Sequence, residues 1–335
     1  MVTRNDVARK AGVSPATVSR VLGGYRNVRE DHRRLVLSAA AELGYRPNQT
    51  ARSLRTGRTN RIGLIVSNLI NPYYTEVISG VEEVARREGY VVSVCDALYE
   101  NYAYLRAFAA QQWDGLIIAA SNLVFREIGA SLMPRQGIPV VLGPELTEAG
   151  SEFPRIKLDW ELEAEKAVTY LLGLGHRHVA FVSETKMDNP LNGRHNGYRR
   201  ALAAAGVEYD PALCVSCFEM MGSPQLGLYG VRRLLARGVK PTAIFAANDL
   251  IAMGAIAALA EAHLNVPEDI SVLGFDDLSF AAMTTPALST VAVPKWEQGR
   301  MLAEMLLNTL SGVPPRTEAL TGSIIVRQST APPAR

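Results

Sequence analysis

Cysteine is nearly absent from this chain: three occur in 335 residues, at positions 95, 214 and 217. Three thiols do not make a disulfide framework, and they suit a reducing compartment. Cys214 and Cys217 form a C-x-x-C, but they fall in "ALCVSCFE", which reads as a strand. Residues three apart on a strand point to opposite faces, and no second cysteine pair completes a zinc site. No metal is expected. Apolar runs long enough to span a bilayer are missing, and the first residues are charged where a signal peptide would be apolar. No membrane partner is expected, and the chain is expected to stay in the cytoplasm. No G-x-G-x-x-G follows a first strand, no P-loop is present, and no Ser/His/Asp arrangement stands out. An enzyme and a bound cofactor are therefore not expected, and His176 and His178 in "GHRHVAFV" are read as shaping a strand entry.

What is present is unevenly distributed. The whole chain balances 35 lysines and arginines against 33 acids. Residues 1–61 alone hold 13 basic and 4 acidic residues, which leaves 22 and 29 for the rest. A compact basic head on an acidic body is the electrostatic footprint of a polyanion binder, since a merely solvated surface needs no such sorting. With 48% apolar residues the chain is globular, and its length implies two or three folding units.

Within the basic head, "NDVARKAGVSPATVSRVL" reads as helix, glycine turn, helix. Val7, Ala8 and Ala11 give the first helix an apolar side. Ser14 is a good N-cap, and Pro15 suits the first helical position, where its missing N–H costs nothing. The second helix then carries Thr17, Ser19 and Arg20 on one side and Val18, Val21 and Leu22 on another. A third helix, "EDHRRLVLSAAAELGY", offers Leu35, Val36, Ala39 and Leu43 to close a small core. Such a pair can place its second helix in the DNA major groove, although a generic helical hairpin has the same outline.

From Arg61 onward strands and helices alternate. "IGLIVS", "YVVSVCD", "DGLIIAA", "PVVLG" and "RIKLD" are strands of a first run; "HVAFVSE", "LCVSCF", "TAIFAAN" and "SVLGFDD" belong to a second. Near-continuous Val/Ile/Leu strands between helices imply parallel sheets covered on both faces, and the repetition suffices for two. Ligands of such sheets bind beyond the carboxyl ends of the strands. Several strands here end in polar pairs: Ser67–Asn68, Ser121–Asn122, Asn248–Asp249 and Asp276–Asp277. These suit a polar cleft between two lobes, and equally the caps of the helices that follow.

Taken in order, "DVARKAGVSPATVSRVL", "ELGYRPNQTARSLRTGRTNRIGLIV", "NPYYTEVISGVEEVARREGY", "LGLGHRHVAFV", "PTAIFAANDLIAMGA" and "VPEDISVLGFDDLSFAAMTTPALSTV" resemble the lactose-repressor/galactose-repressor (LacI/GalR) family of transcriptional regulators over nearly the whole chain. The resemblance implies an α/β fold: an N-terminal all-α helix-turn-helix domain followed by a two-lobed, periplasmic-binding-protein-like (type I) domain with parallel sheets. It places the DNA-binding domain at 1–47, a hinge helix and linker at 48–61, and the effector-binding and dimerisation domain at 62–335. Lobe 1 is expected at about 62–160 and 292–322, and lobe 2 at about 161–291 and 323–335.

The implied partners are a pseudo-palindromic double-stranded operator, a second copy of the chain, and a small-molecule effector. By position Pro15, Ala16 and Arg20 match base readers, Arg20 being able to contact guanine O6 and N7 together. Asn5, Thr17, Ser19 and Arg29 are assigned to phosphates, which position without specifying sequence, and Ser14 is grouped with them. "NQTARSLRTG" matches the hinge helix, too short to be stable alone, with Ala51, Leu54 and Arg55 facing DNA. Leu54 matches a leucine that wedges between base pairs in the minor groove.

For the effector, Arg194 and Asp276 match the family's ligand-binding arginine and aspartate, and Tyr73, Tyr74, Ser121 and Asn248 match other cleft positions. "KMDNPLNGR" adds Asp188, Asn189 and Asn192 where a second arginine is usual, and Pro144 stands where an aspartate often follows the strand. No aromatic fills the usual cleft position in "FEMMGSPQLG", though Phe218, Met220 and Met221 are near. Aromatic faces with an arginine, an aspartate and an asparagine suit a sugar or polyol. The expected function is a sequence-specific repressor under effector control. An activator or a nucleoside- or purine-responsive regulator of the same fold is the alternative, and a solute-binding protein a more distant one.

Overall fold

The structure is a computed structural model that describes residues 2–23, 25, 27–45, 57–98, 102–132, 138–146, 153–217, 225–314 and 316–334. The chain divides into two compact units, Met1–Thr59 and Asn60–Arg335.

In the first unit, Thr3 caps α1 (Arg4–Ala11). Its hydroxyl accepts from the Asp6 amide, and the Asp6 carboxylate accepts from the Thr3 amide at 2.9 Å. Gly12 turns the chain at φ 65°, a conformation that favours glycine. Ser14 Oγ accepts from the Thr17 amide at 3.1 Å, and Pro15 opens α2 (Pro15–Leu22). With α3 (Glu30–Glu42) these helices bury Val7, Ala8, Ala11, Val18, Val21, Val36, Ala39 and Ala40. Leu35 does not join this core as the sequence suggested; it is 49% exposed. The buried stripe of α3 runs through Val36, Ala39, Ala40 and Leu43, and Leu35 lies one residue, about 100°, off it.

The second unit holds two six-stranded sheets. The first contains β1 (Arg61–Val66), β2 (Val91–Asp96), β3 (Gly115–Ala119), β4 (Val140–Leu142), β5 (Arg155–Leu158) and, from far down the chain, β11 (Thr317–Leu320). Their order is β11–β5–β4–β3–β1–β2, parallel throughout. The second contains β6 (Val179–Ser183), β7 (Cys214–Ser216), β8 (Ala243–Ala246), β9 (Ser271–Asp276), β10 (Ser289–Ala292) and β12 (Ser323–Ile325), in the order β12–β10–β9–β8–β6–β7. Only β12 is antiparallel. Helices α4 (Pro72–Arg87), α5 (Tyr102–Ala109), α6 (Asn122–Leu132) and α11 (Lys295–Leu310) belong with the first sheet. Helices α7 (Trp160–Gly173), α8 (Gly193–Ala204), α9 (Leu226–Ala236) and α10 (Asp249–Glu261) belong with the second.

The chain passes between the sheets three times: from Leu158 to Trp160, from Ala292 to Lys295 and from Leu320 to Ser323. In lobe 1, α4 and α11 cross at Gly80 and Gly299. A Cβ on Gly80 would meet the Trp296 carbonyl, and one on Gly299 the Val77 carbonyl. Only glycine allows that approach, which brings the N-terminal ends of both helices to the same sheet end. Helices α5 and α11 are absent from the sequence reading: α5 is only eight residues long, and α11 lies among charged residues.

Candidate functional site

In the head, the cap at Ser14 and the burial of Val18 and Val21 leave the opposite side of α2 outward. Ser14, Pro15, Ala16 and Arg20 are exposed, and Thr17 and Ser19 are half-buried. Ser14 Oγ is occupied as the helix cap and lies 3.0 Å from the Thr17 hydroxyl. Ser19 Oγ accepts from Arg4 Nη1 at 2.8 Å, so this hydroxyl brings an arginine onto the same face. Asn5 is exposed, as is Arg29, whose guanidinium pairs with Asp31 at 3.0 Å. Ala51, Leu54 and Arg55 lie outside the described residues.

In the body, a cavity of about 540 Å³ sits between the two sheets, at the carboxyl ends of their strands. Ser67 and Asn68 reach it from β1, Ser121 and Asn122 from β3, Glu145 from beyond β4, Glu184 from beyond β6, Asn248 from β8 and Asp276 from β9. Tyr73, Tyr74, Trp160, Asn189, Asn192 and Arg194 complete most of its polar and aromatic wall. Eight of the nine residues that the sequence offered for the effector are thus brought together: Tyr73, Tyr74, Ser121, Asn189, Asn192, Arg194, Asn248 and Asp276. Asp188 is the exception. Phe218, Met220 and Met221 are outside the described residues.

Several of these groups are already partly engaged. Asn248 Oδ1 caps α10, accepting from the Ile251 amide at 2.9 Å, while its Nδ2 reaches Glu184 at 3.4 Å. The capping and cleft readings of Asn248 therefore both hold for one side chain. Asn192 caps α8 through the His195 amide at 3.2 Å and donates to the Lys186 carbonyl. Arg194 lies 3.9 Å from Asp276, with its guanidinium 4.4 Å from the Trp160 ring and 4.6 Å from that of Phe275. Cation–π contact of this kind holds the arginine without consuming its in-plane donors. Burial pushes the Asp276 carboxyl well above its ordinary range, with Arg194 opposing the shift. Burial likewise raises both tyrosines, and Tyr73 donates to Gln298 Oε1 at 2.5 Å.

The sequence reading missed Glu145, Glu184 and Trp160. Glu145 follows a strand end, the one local signal available, but Pro144 between them hid it. Burial pushes its carboxyl up to about 7. Trp160 anchors to the Pro144 carbonyl at 2.9 Å, fixing the first crossing between lobes. Among the described residues, no cluster of three or more His, Cys, Asp or Glu is arranged to hold a metal, and the three cysteines are buried and form no disulfide. No helix among them is long and apolar enough to cross a membrane.

A helix-turn-helix head with an outward polar helix, joined to a two-lobed body around a polar cavity, defines a ligand-responsive DNA-binding regulator. Residues 3–48 match bacterial regulatory proteins of the lacI family, and residues 168–330 match the periplasmic binding protein-like domain. Catabolite control protein A of Priestia megaterium is 34% identical, with 91% of each chain covered. The transcriptional repressor PurR of Serratia proteamaculans is 35% identical over 92% of this chain and 91% of its own. Among solved structures, the Lac repressor dimer bound to operator and an anti-inducer superposes with a TM-score of 0.82 at 26% identity, covering 98% of this chain and 99% of that one. The CelR–cellobiose complex superposes with a TM-score of 0.70 at 29% identity, over 98% and 100%. The chain belongs to the lacI family of bacterial regulatory proteins. It is a DNA-binding transcriptional regulator with a ligand-binding domain, not an enzyme.

Proposed function

We propose that this regulator is a cytoplasmic homodimeric repressor whose affinity for a pseudo-palindromic operator is set by a sugar or polyol held in the cavity between the lobes. The observation that carries the reading is the cavity itself: about 540 Å³, at the carboxyl ends of two parallel sheets, with an arginine, carboxyls, amides and aromatic faces converging on it. That composition suits a ligand with many hydroxyls and apolar ring faces. The cellobiose complex of a neighbour of the same fold supports the class.

On the DNA side, Arg20 is the base reader, with Pro15 and Ala16 beside it. Asn5, Ser14, Thr17, Ser19 and Arg29 lie toward the backbone phosphates, and Ala51, Leu54 and Arg55 are assigned to the minor groove. Effector binding favours one angle between the lobes, and that angle sets the spacing of the two heads. A ligand shifts DNA affinity only by its differential affinity for the two states, so the coupling is reciprocal and on the order of 1–3 kcal/mol.

The test selects an operator from a random DNA pool with the full-length protein, then measures its binding with and without sugars, polyols and nucleosides. Arg194→Ala or Asp276→Ala should leave operator binding intact and abolish the response. A response that persists in both variants places the effector elsewhere, and a response confined to nucleosides or bases replaces the sugar reading by a purine one. For the minor-groove assignment, Leu54→Ala should narrow the gap between specific and non-specific affinity and reduce DNA bending; unchanged values would reject it.

A further inference from the structure

Residues 1–61 hold four acids: Asp6, Glu30, Asp31 and Glu42. Each is engaged by a cation of the head, Asp6 by Arg9 at 3.5 Å, Glu30 by Arg33 at 3.5 Å, Asp31 by Arg29 at 3.0 Å and Glu42 by Lys10 at 2.7 Å. Arg4 and Arg20 are both exposed, and no carboxylate among the described residues pairs with either. Arg4 is the first residue of α1, where a cation opposes the helix dipole, so helix stability does not call for it. Its guanidinium is nonetheless fixed in place: Nη1 donates to the Ser19 hydroxyl of α2 at 2.8 Å.

Ala16, Ser19 and Arg20 are spaced i, i+3 and i+4, so they share one side of α2, turned away from buried Val18 and Val21. Ser19 and Arg20 flank Ala16 on that side, about 100° apart around the axis. Arg4, seated on Ser19, therefore adds a second guanidinium to the face that carries Arg20. The small side chain between them leaves the face free to approach a surface closely.

We propose that Arg4 is a second base reader of the head, donating to O6 and N7 of a guanine in the major groove, a different guanine from the one assigned to Arg20. This deepens the DNA-side reading above and rests on its placement of α2 in the groove. The rest of the face offers little to read with. Pro15 and Ala16 bring only apolar atoms, and the Ser14 hydroxyl is spent on capping. A guanidinium has five N–H donors in a planar fork. The bond to Ser19 uses one at Nη1, which leaves Nη2 and Nε to meet two acceptors side by side. Guanine presents such a pair on its major-groove edge. Attraction to phosphate depends mostly on charge, whereas base readout depends on direction, and direction is what the Ser19 hydroxyl adds.

The test is operator selection from a random DNA pool, then competition binding, with the full-length protein and its Arg4→Ala, Ser19→Ala and Arg20→Ala variants. Arg4→Ala should bind the selected operator about tenfold or more weakly and lose a guanine preference at one position per half-site. That position should differ from the one that Arg20→Ala relaxes. Ser19→Ala keeps both charges and should weaken the Arg4-dependent preference by about threefold, with little further effect once Arg4 is alanine. A purely electrostatic role for Arg4 would not tie Ser19 to one base pair. Melting temperatures should match that of the unaltered protein; if Arg4→Ala melts early, the position-specific effect of Ser19→Ala decides alone. Equal loss on every sequence from Arg4→Ala, or no loss, overturns the proposal, while a base-pair effect of Arg20→Ala leaves the groove placement standing. If neither arginine affects any base pair, the placement of α2 falls with it.

Discussion

Lys295 donates from its ammonium to the backbone carbonyl of Asp276 at 2.7 Å, and to that of Asp277 at 2.8 Å. The lysine is the first residue of α11, just after the second crossing between lobes; the aspartate ends β9 in the other lobe and lines the cavity. Asp276 and Asp277 have φ of 113° and 53°, conformations that side-chain-bearing residues rarely adopt. A cation at a helix N-terminus opposes the helix dipole, and this one is buried. The two carbonyls, with Glu76 of α4 at 3.7 Å, offset that penalty and hold the strained turn.

Lys295→Met should therefore lower stability by about 2–5 kcal/mol, since two buried carbonyls lose their donor. Urea denaturation measures it, and Lys295→Arg should recover part of the loss. A methionine variant with an unchanged midpoint would mean that the turn holds without the ammonium.

Arg20→Ala should weaken specific operator binding by about 1–3 kcal/mol and relax preference at one base pair per half-site. Arg20 is exposed and lies off the buried stripe of α2, so the fold should be unaffected. Equal loss on every DNA sequence in a competition assay would demote it to a phosphate contact.

Gly299→Ala tests the crossing of α4 and α11. The added methyl meets the Val77 carbonyl, a backbone atom that moves only if a helix moves. A loss of about 1–3 kcal/mol in chemical denaturation is expected. Gly173→Ala, where a Cβ meets nothing, is the control and should leave stability nearly unchanged.

The pH dependence of the ligand-free protein follows from Glu145. Burial raises its carboxyl to about 7 in the folded state from an ordinary value of 4.5. As pH rises from about 4.5 to 7 the unfolded chain loses that proton first, so this group's contribution to stability falls across the window and is level above it. Glutamine does not titrate. The stability of Glu145→Gln relative to the unaltered protein should thus grow between pH 5 and pH 8, by on the order of 1–3 kcal/mol. Urea titrations at the two pH values check the sign. Asp249 and Asp276, also raised by burial, are common to both proteins and cancel in the comparison.

The head was legible in the sequence because its signals are local. Ser14, Pro15 and Gly12 act within one turn of themselves, and a buried stripe at helical spacing needs no knowledge of distant residues. The failure at Leu35 was of the same local kind, a choice between adjacent positions that only the packing partner settles. The strands were legible from composition, and their polar ends from the change at each carboxyl terminus. Helix α11 was not, because its buried side includes Lys295, Gln298 and Gly299, which no apolar pattern reveals.

By itself the sequence determined the parallel architecture, the basic head on an acidic body and the identity of the strand ends, since each depends on residue type and near-neighbour spacing. Tertiary structure alone decided which strand ends face one cavity. It joined Tyr73 to Gln298 and Lys295 to Asp276, pairs far apart in the chain and brought together where it crosses between lobes. It also left Glu145 Oε2 and Arg194 Nε without partners. A hydrogen bond unmade inside a protein is a property of the packed whole, because it depends on every group that could have reached the atom and did not.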